Sequence, residues 1–414
     1  MSPGPAPNRV IRPVPTNTLR DPAKAPGSLV TAIGEDPEAL VYFLLNVGDG
    51  DTQLLLLPPD SNDGKRRLVV VDVATADKLP ALLEALHQTG RSGNGEPILA
   101  EVPGSLAQFP LIVATHPHFD HIGGMSDLFT RYNTPGAIEQ FWEPGYFFPS
   151  PSFHNLMGQL ETSPWIRRLQ PTSGTTFYLD SVKLTVLGPG VGLRTHFDTY
   201  GVGVNDASVT LMVDFPAARI YSQPDPGDPT RRNRRVVPRR SRRLLLGADA
   251  QFTSWARTTV DFPDLVQEQN PALARELRAA RGRDYLAADV FKLSHHASKH
   301  GITLELVERV GATHVLVSAT AGGGRYNFPH ALAMEAVREA RQATTTNTER
   351  RLTDNELGIH LTGSIMTRAG GAPLGSIALL IPRSPTEGIR MFRLMDAPDQ
   401  PVELSHSREV ILPS

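Results

Sequence analysis

Apolar residues along this 414-residue chain gather into short runs broken by turn-forming residues rather than into long helical stripes. The first ordered run is expected near Ala39. "ALVYFLLNV" (39–47) predicts a strand, "GDGD" a polar turn, and "TQLLLLP" the strand that returns from it. "RRLVVVD" predicts a further strand ending at Asp72. In "KLPALLEALHQTG" (78–90) the apolar spacing becomes helical and stops at a glycine. "FPLIVATH" reads as a buried strand, and "HIGGMSDLFTRY" as the start of a helix behind it, on a pattern only partly helical. Residues 137–187 read as short strands mixed with aromatic loops, "TTFYLDSVKLTVLGP" as a hairpin turning near Asp180 and Ser181, and "NDASVTLMVDFPAARIYS" as another strand pair. "RRLLLGADA" is a strand running into Asp249. After it come strand "AADVFKLSHH", helix "ITLELVERV", strand "THVLVSAT" and helix "PHALAMEAVREAR". Late strands at "ELGIHLTG", "GSIALLI" and "GIRMFRLM" are expected to complete the second half. The pattern predicts an α/β fold of two packed sheets with helices outside. No GxGxxG follows the first strand, which argues against a dinucleotide fold.

Composition narrows the chemistry. Apolar residues make up 40%, enough for a substantial core, and 36 prolines with 35 glycines favour turns over long helices. A formal net charge of −2 gives no global attraction to nucleic acid or membrane. The chain has no cysteine, so any metal must be held by His and carboxylate ligands. No apolar run approaches the length of a membrane span, and the proline-rich start "MSPGPAPNRVIRPVPTNTLR" has no apolar secretory segment. A cytoplasmic location without a membrane span is expected. Residues 1–37 are expected to form a disordered lead-in, 38–395 one domain, and 396–414 a tail. Within the domain, "QPDPGDPTRRNRRVVPRRSRR" (223–243) carries eight arginines. It reads either as a solvated insertion or as an electrostatic arm for a polyanionic substrate.

The densest chemistry lies in "THPHFDHIGG" (115–124), directly after the apolar run "PLIVA". His116 and His118, two apart at a strand end, converge on one metal once the chain turns. Asp120 and His121 serve a second metal beside it, and Gly123 and Gly124 allow close backbone approach or positive φ. Distant strand ends must supply the rest. Asp249 can bridge two divalent ions roughly 3.5–4 Å apart. Of His295 and His296 after "DVFKLS", His295 is expected to ligate, being first after the strand. His296 is left as a proton donor or a packed side chain. Two such cations would make a shared water nucleophilic near neutral pH, with Asp120 orienting it, so the site suits hydrolysis at phosphorus or a carbonyl carbon. Zinc is the default metal, with manganese or iron next. The aromatic stretch 141–153 reads as a pocket wall or as an ordinarily packed loop. Asp49, Asp51 and Asp72 read as structural or as carboxylates orienting the ligands.

"THPHFDHIGG" matches the HxHxDH signature of the metallo-β-lactamase superfamily, and the supporting elements follow in order over roughly residues 38–385. This resemblance implies an αββα sandwich with metals at the sheet edges. Within the superfamily the chain resembles the hydrolase domain associated with bacterial DNA-uptake channels. The resemblance rests on "NVGDGD" (46–51), on Asn205, Asp206 and Ser208 in "NDASVTL", on Gly247 and Asp249, on "KLSHHAS" (292–298), and on Ser318 in "HVLVSAT". It implies a soluble phosphodiesterase or nuclease-like enzyme without the channel, acting on an anionic phosphodiester. The alternatives are a hydrolase of a small ester, lactone or amide, and a non-catalytic binding or regulatory protein that kept the fold. The chain departs from the family where Ala297 replaces a glycine, where Ala248 interrupts the Gly-Asp pair, where Pro329-His330 reverses an expected His-Pro, and where Asp72 lacks a nearby glycine. The third ligand of the first metal falls to Asp206, to Asn205, to a water, or to His196.

Overall fold

The computed structural model describes residues 28–89, 95–195, 203–224, 227–228, 230, 232–238, 241–264, 284–320, 326–344, 350–363 and 375–410. Two mixed sheets lie face to face with helices on their outer sides. This is the αββα sandwich of the metallo-β-lactamase fold. The first sheet contains β1 (Leu40–Leu44), β2 (Thr52–Leu56), β3 (Leu68–Val73), β4 (Leu111–Val113), β5 (Gln140–Trp142) and β6 (Arg167–Leu169). The second contains β7 (Thr176–Leu179), β8 (Val182–Gly188), β9 (Thr210–Phe215), β12 (Arg242–Leu246), β13 (Val290–Lys292), β14 (His314–Val317) and β15 (Ile359–Leu361). Between β9 and β12, β10 (Ala218–Pro224) and β11 (Arg232–Pro238) pair with each other as a separate ribbon.

The two-residue period of the strands builds three cores. In β1, Leu40, Tyr42 and Leu44 face the space between the sheets, while Val41 and Phe43 face outward. The outward residues meet α1 (Leu29–Glu35), α2 (Lys78–Thr89), α4 (Met125–Tyr132) and α5 (Pro151–Glu161). In the second sheet, Leu244 and Leu246 point inward. Leu245, Phe291, Val315 and Val317 pack outward against α7 (Phe252–Asp261), α8 (Leu304–Val310) and α9 (Ala331–Thr344). The two short remaining helices are α3 (Phe119–Ile122) and α6 (Val191–Thr195).

Several expectations are corrected here. Ordered structure starts before Ala39: Ser28 caps α1, and Leu29, Ala32 and Ile33 are buried. The expected tail is part of the fold. Asp396 is buried against Lys78, their charges 2.6 Å apart, and β18 (Arg408–Val410) extends the first sheet. The late runs that become β16 (Ile377–Ile381) and β17 (Arg390–Arg393) join the first sheet, not the second, with Leu40 opposite Ile381. Alternation in a buried strand shows which residues face inward but not which strand lies alongside. Residues 151–161, expected within loops, form α5, begun by a Ser150 side-chain cap and Pro151 in the first turn.

Strand direction decides what gathers where. β3 and β4 are parallel, as are β12, β13 and β14, so their carboxyl ends point the same way. β9 is antiparallel to β12, and β2 to β3, so their starting ends arrive at that same edge. The opposite edge receives the β10–β11 ribbon: β9 runs away from the shared edge to Phe215, and Arg242, opposite Phe215, begins the return. Arg242 and Arg243 there pair with Asp289 at 3.4 Å and Asp214 at 2.8 Å.

Two histidines are buried at that far edge. Burial, with repulsion from Arg341 partly offset by Asp289 and added to by Arg242, pushes His314 down to about 4. Burial, then Arg393 and His314, holds His360 well below the usual range. In the unfolded chain both titrate near ~6.5. As pH falls from there towards 4 the unfolded state binds more protons, so stability is lost in that window. The His314 contribution is on the order of 3 kcal/mol. Urea denaturation at pH 7.5 and 4.5 is expected to show this loss in the wild type and a smaller one in His314→Asn. Equal losses would contradict it.

Candidate metal centre

The centre is assembled from loops at the shared edge. After β4 the chain passes through Thr115 into "HPHFDHIGG", whose second half folds as α3 and then α4. The paired glycines serve close approach, not positive φ: Gly123 has φ −55° and Gly124 φ −97°. A Cβ on Gly124 would lie 2.3 Å from the Thr75 backbone oxygen, and one on Gly123 2.7 Å from that of Ala74. Only glycine lets this loop lie against the segment after β3.

Asp249, buried after β12, is the hub. Its Oδ2 lies 3.6 Å from His116 Nε2 and 3.6 Å from His295 Nε2. Its Oδ1 lies 3.2 Å from His121 Nε2 and 3.8 Å from His296 Nε2. His118 Nδ1 is 3.1 Å from His116 Nε2, and Asp120 Oδ2 is 3.7 Å from His296 Nε2. Among the described residues three groups have the compactness a cation requires: His116, His121 and Asp249; Asp120, His121 and His296; and Asp51, Asp72 and His121, in which Lys292 already pairs with Asp51. His121 Nε2, His296 Nε2 and Asp249 Oδ1 are buried and face one another at 3.2 and 3.8 Å, within ion-pair reach but without well-formed hydrogen bonds. Buried polar atoms left in this way are costly unless an ion satisfies them, so the donor set fits a divalent cation bound by nitrogen and oxygen.

The surroundings set the ligand orientations. Asp72 Oδ2 takes His121 Nδ1 at 2.7 Å, and the same carboxylate accepts from the Thr115 amide and hydroxyl. This turns His121 Nε2 towards Asp249. His296 is fixed in the same manner by Nδ1 against the Ser318 carbonyl oxygen at 2.8 Å. His295, His296 and Ala297 all have left-handed φ, of 48°, 52° and 61°. That turn sends the second imidazole inward. The structure therefore gathers His296, and not His295, with Asp120 and His121, where the sequence pointed to His295. His295 is partly exposed and held between Asn205 at 3.3 Å and Gln251 at 2.9 Å.

Asp206 is not brought to the cluster. Its carboxylate accepts from the Ser254 amide at 3.0 Å at the start of α7, so the free amides of that helix outbid the metal edge for it. Asn205, beside it, is the residue that reaches the site. His196 lies outside the described residues. Asp51 is buried in an ion pair with Lys292 and lies 3.7 Å from His296 Nδ1, while Asp49 accepts from the Thr320 amide. Gln251 was not anticipated, because nothing in its local pattern separates it from a surface residue.

Electrostatics follow the same arrangement. Burial disfavours a charge on His121, yet Asp249 and Asp72 outweigh it and hold its pKa well above the usual range. Burial also opposes the charge on Asp249, but His121, His296 and His116 keep the carboxyl well below its usual range. Burial lowers His116, His118 and His295. Binding a cation at His121 Nε2 requires that nitrogen free of a proton, so metal affinity should fall as pH falls.

Residues 63–204 match the model of the metallo-beta-lactamase superfamily. The matched stretch includes the whole of "HPHFDH" and stops one residue before Asn205. No curated protein matches the chain. Among solved structures it is similar to the metallo-beta-lactamase fold protein YhfI from Bacillus subtilis, at 10% identity and a TM-score of 0.36 over 79% of this chain and 97% of that one. It is also similar to a diphosphatase of the PhnP family, at 13% identity and a TM-score of 0.33 over 79% and 95%. For CmlA, a diiron beta-hydroxylase from Streptomyces venezuelae, the values are 11% and 0.33 over 76% of this chain, which spans only 53% of the hydroxylase.

Zinc or manganese at 100-fold over its Kd is expected to stabilise the wild type by about 2.7 kcal/mol in thermal denaturation. Asp249→Asn should abolish that gain, and Asp72→Asn should weaken metal affinity about 10- to 100-fold without removing a ligand. An unaltered metal response in Asp249→Asn would contradict the arrangement.

Proposed function

We propose that the protein is a metal-dependent hydrolase acting on phosphodiesters. The observation that carries this reading is the buried Asp249 carboxylate with imidazole nitrogens turned towards it, opening to solvent past Asp120, whose side chain is 34% exposed. His116, His118 and Asp249 would hold one cation, with His295 and Asn205 beside it; Asp120, His121, His296 and Asp249 would hold a second. Zinc suits these donors, as do manganese and iron. A divalent cation here supplies Lewis acidity and makes water nucleophilic near neutral pH. Asp120 is placed to orient the attacking water and accept its proton. His295, kept neutral by burial, and Asn205 are placed to hydrogen-bond a substrate oxygen on the other side. Phosphodiesters are favoured over carboxylic esters by the resemblance of "NVGDGD", "NDAS" and "KLSHHAS" to the competence-type hydrolases. An anionic oxygen pair also suits a doubly cationic centre.

The eight-arginine segment has no part in this reading as an arm over the site. Its ribbon leaves the sheet edge opposite the centre, roughly 15 Å of strand away. Metal-loaded protein is expected to hydrolyse bis(p-nitrophenyl) phosphate, and Asp120→Ala to reduce kcat at least about 100-fold. Shortening the ribbon between residues 220 and 236 should leave that turnover and its salt dependence unchanged. Activity on a lactone or thioester panel with none on phosphodiesters would overturn the assignment.

A further inference from the structure

The loops that supply the metal ligands also leave large aromatic rings in water. Phe119, between His118 and Asp120 in sequence, is 70% exposed, Phe147 65%, Tyr326 58% and Phe252 45%. Phe119 and Tyr326 stand nearest the donor cluster, whereas the Phe147 ring meets Phe153 and His154 of α5 at 6.2 and 5.4 Å and the Phe252 ring lies 6.4 Å from that of His300. Phe147 is followed by Phe148, whose ring meets His118 at 5.6 Å, nearly edge-on. Phe252 follows Gln251, which bonds His295. Tyr326 packs at 5.8 Å on Phe328, which in turn contacts His295 at 5.4 Å and His296 at 5.5 Å. Phe119 is held by the tight turn over Gly123, where its Cε2 would lie 3.1 Å from an added Cβ.

Scattered exposed apolar residues need no explanation, but Phe119, between His118 and Asp120, and Tyr326, one ring away from His295 and His296, leave aromatic surface beside the donor cluster. The strands that bracket the arginine-rich stretch leave and rejoin the second sheet at the edge opposite the centre. We infer that these rings select the substrate. They would stack on the flat group that stays on the phosphate when the leaving group departs, nucleobase or aryl, so that a diester with a ring on its retained side is preferred over one without. Stacking of this kind tolerates different rings, because each presents a π face, and, being a contact without a charge pair, it is not screened by salt. The inference rests on the phosphodiesterase reading and adds to it the group on the retained side of the reacting bond.

The test compares wild type with Phe119→Ala and Tyr326→Ala, both at exposed positions, using the metal-loaded protein. Substrates are bis(p-nitrophenyl) phosphate, the p-nitrophenyl ester of thymidine 5′-phosphate, and methyl p-nitrophenyl phosphate, which carries a ring on the leaving side only. Each variant is expected to lose about tenfold in kcat/KM on the two-ring diesters, mainly through KM, and less than about twofold on the methyl ester. A greater loss on the nucleotide than on the bis-aryl diester identifies bases as the ring partner, and the reverse identifies aryl groups. KM should change less than about twofold between 50 and 500 mM salt. Equal losses on all three substrates, or none, would overturn the inference while leaving the phosphodiesterase reading intact. If wild type turns over no diester, that reading fails instead. Calorimetric binding of a phosphorothioate dithymidine then judges the rings directly, and identical affinity in wild type and Phe119→Ala would reject them.

Discussion

A carboxylate buried at the junction of two sheets is the constraint around which this molecule is arranged. Asp249 has almost no contact with water, and four imidazoles crowd its two oxygens. Taking such a group out of water costs several kcal/mol unless charge or hydrogen bonds offset the loss. The neighbours that offset it come from both halves of the sandwich. His116 and His121 follow β4 of the first sheet, and His295 and His296 follow β13 of the second. The Val209 amide, donating to the Thr115 carbonyl oxygen at 2.9 Å, ties the two edges together where they meet. The Asp51–Lys292 pair, fully buried, is a second tie behind His296.

Polarity is therefore divided between the ends of the sheets. One edge collects strand termini rich in His and Asp. The other collects the arginine-rich ribbon and the buried His314–His360 pair. Because parallel strands return through helices, their carboxyl ends all meet at one edge, and ligands from distant parts of the chain need little extra loop to converge. The same direction rule carries the insertion away from the chemistry.

What could be read in the sequence divides along the same physical line. "HPHFDH" was legible because its donors lie within six residues at a strand end, and Asp249 because an apolar strand leads into it. The layered αββα architecture was legible from strand and helix alternation. The choice between His295 and His296 was not, since it depends on three consecutive left-handed residues, two of them histidines, that no propensity favours. Nor was the loss of Asp206 to the amides of α7, which needs knowledge of where that helix starts. The pairing of β16 with β1 was hidden for a third reason: a buried apolar strand looks the same beside any neighbour.

The most direct test of this account is a crystal structure of zinc-loaded protein with anomalous scattering recorded at the zinc edge. The account expects density bonded to Asp249 and His121, with His296 and Asp120 completing one ion and His116 and His118 the other. Anomalous density absent from this cluster, or bonded to His295 and Asp206 in place of His296, would contradict it.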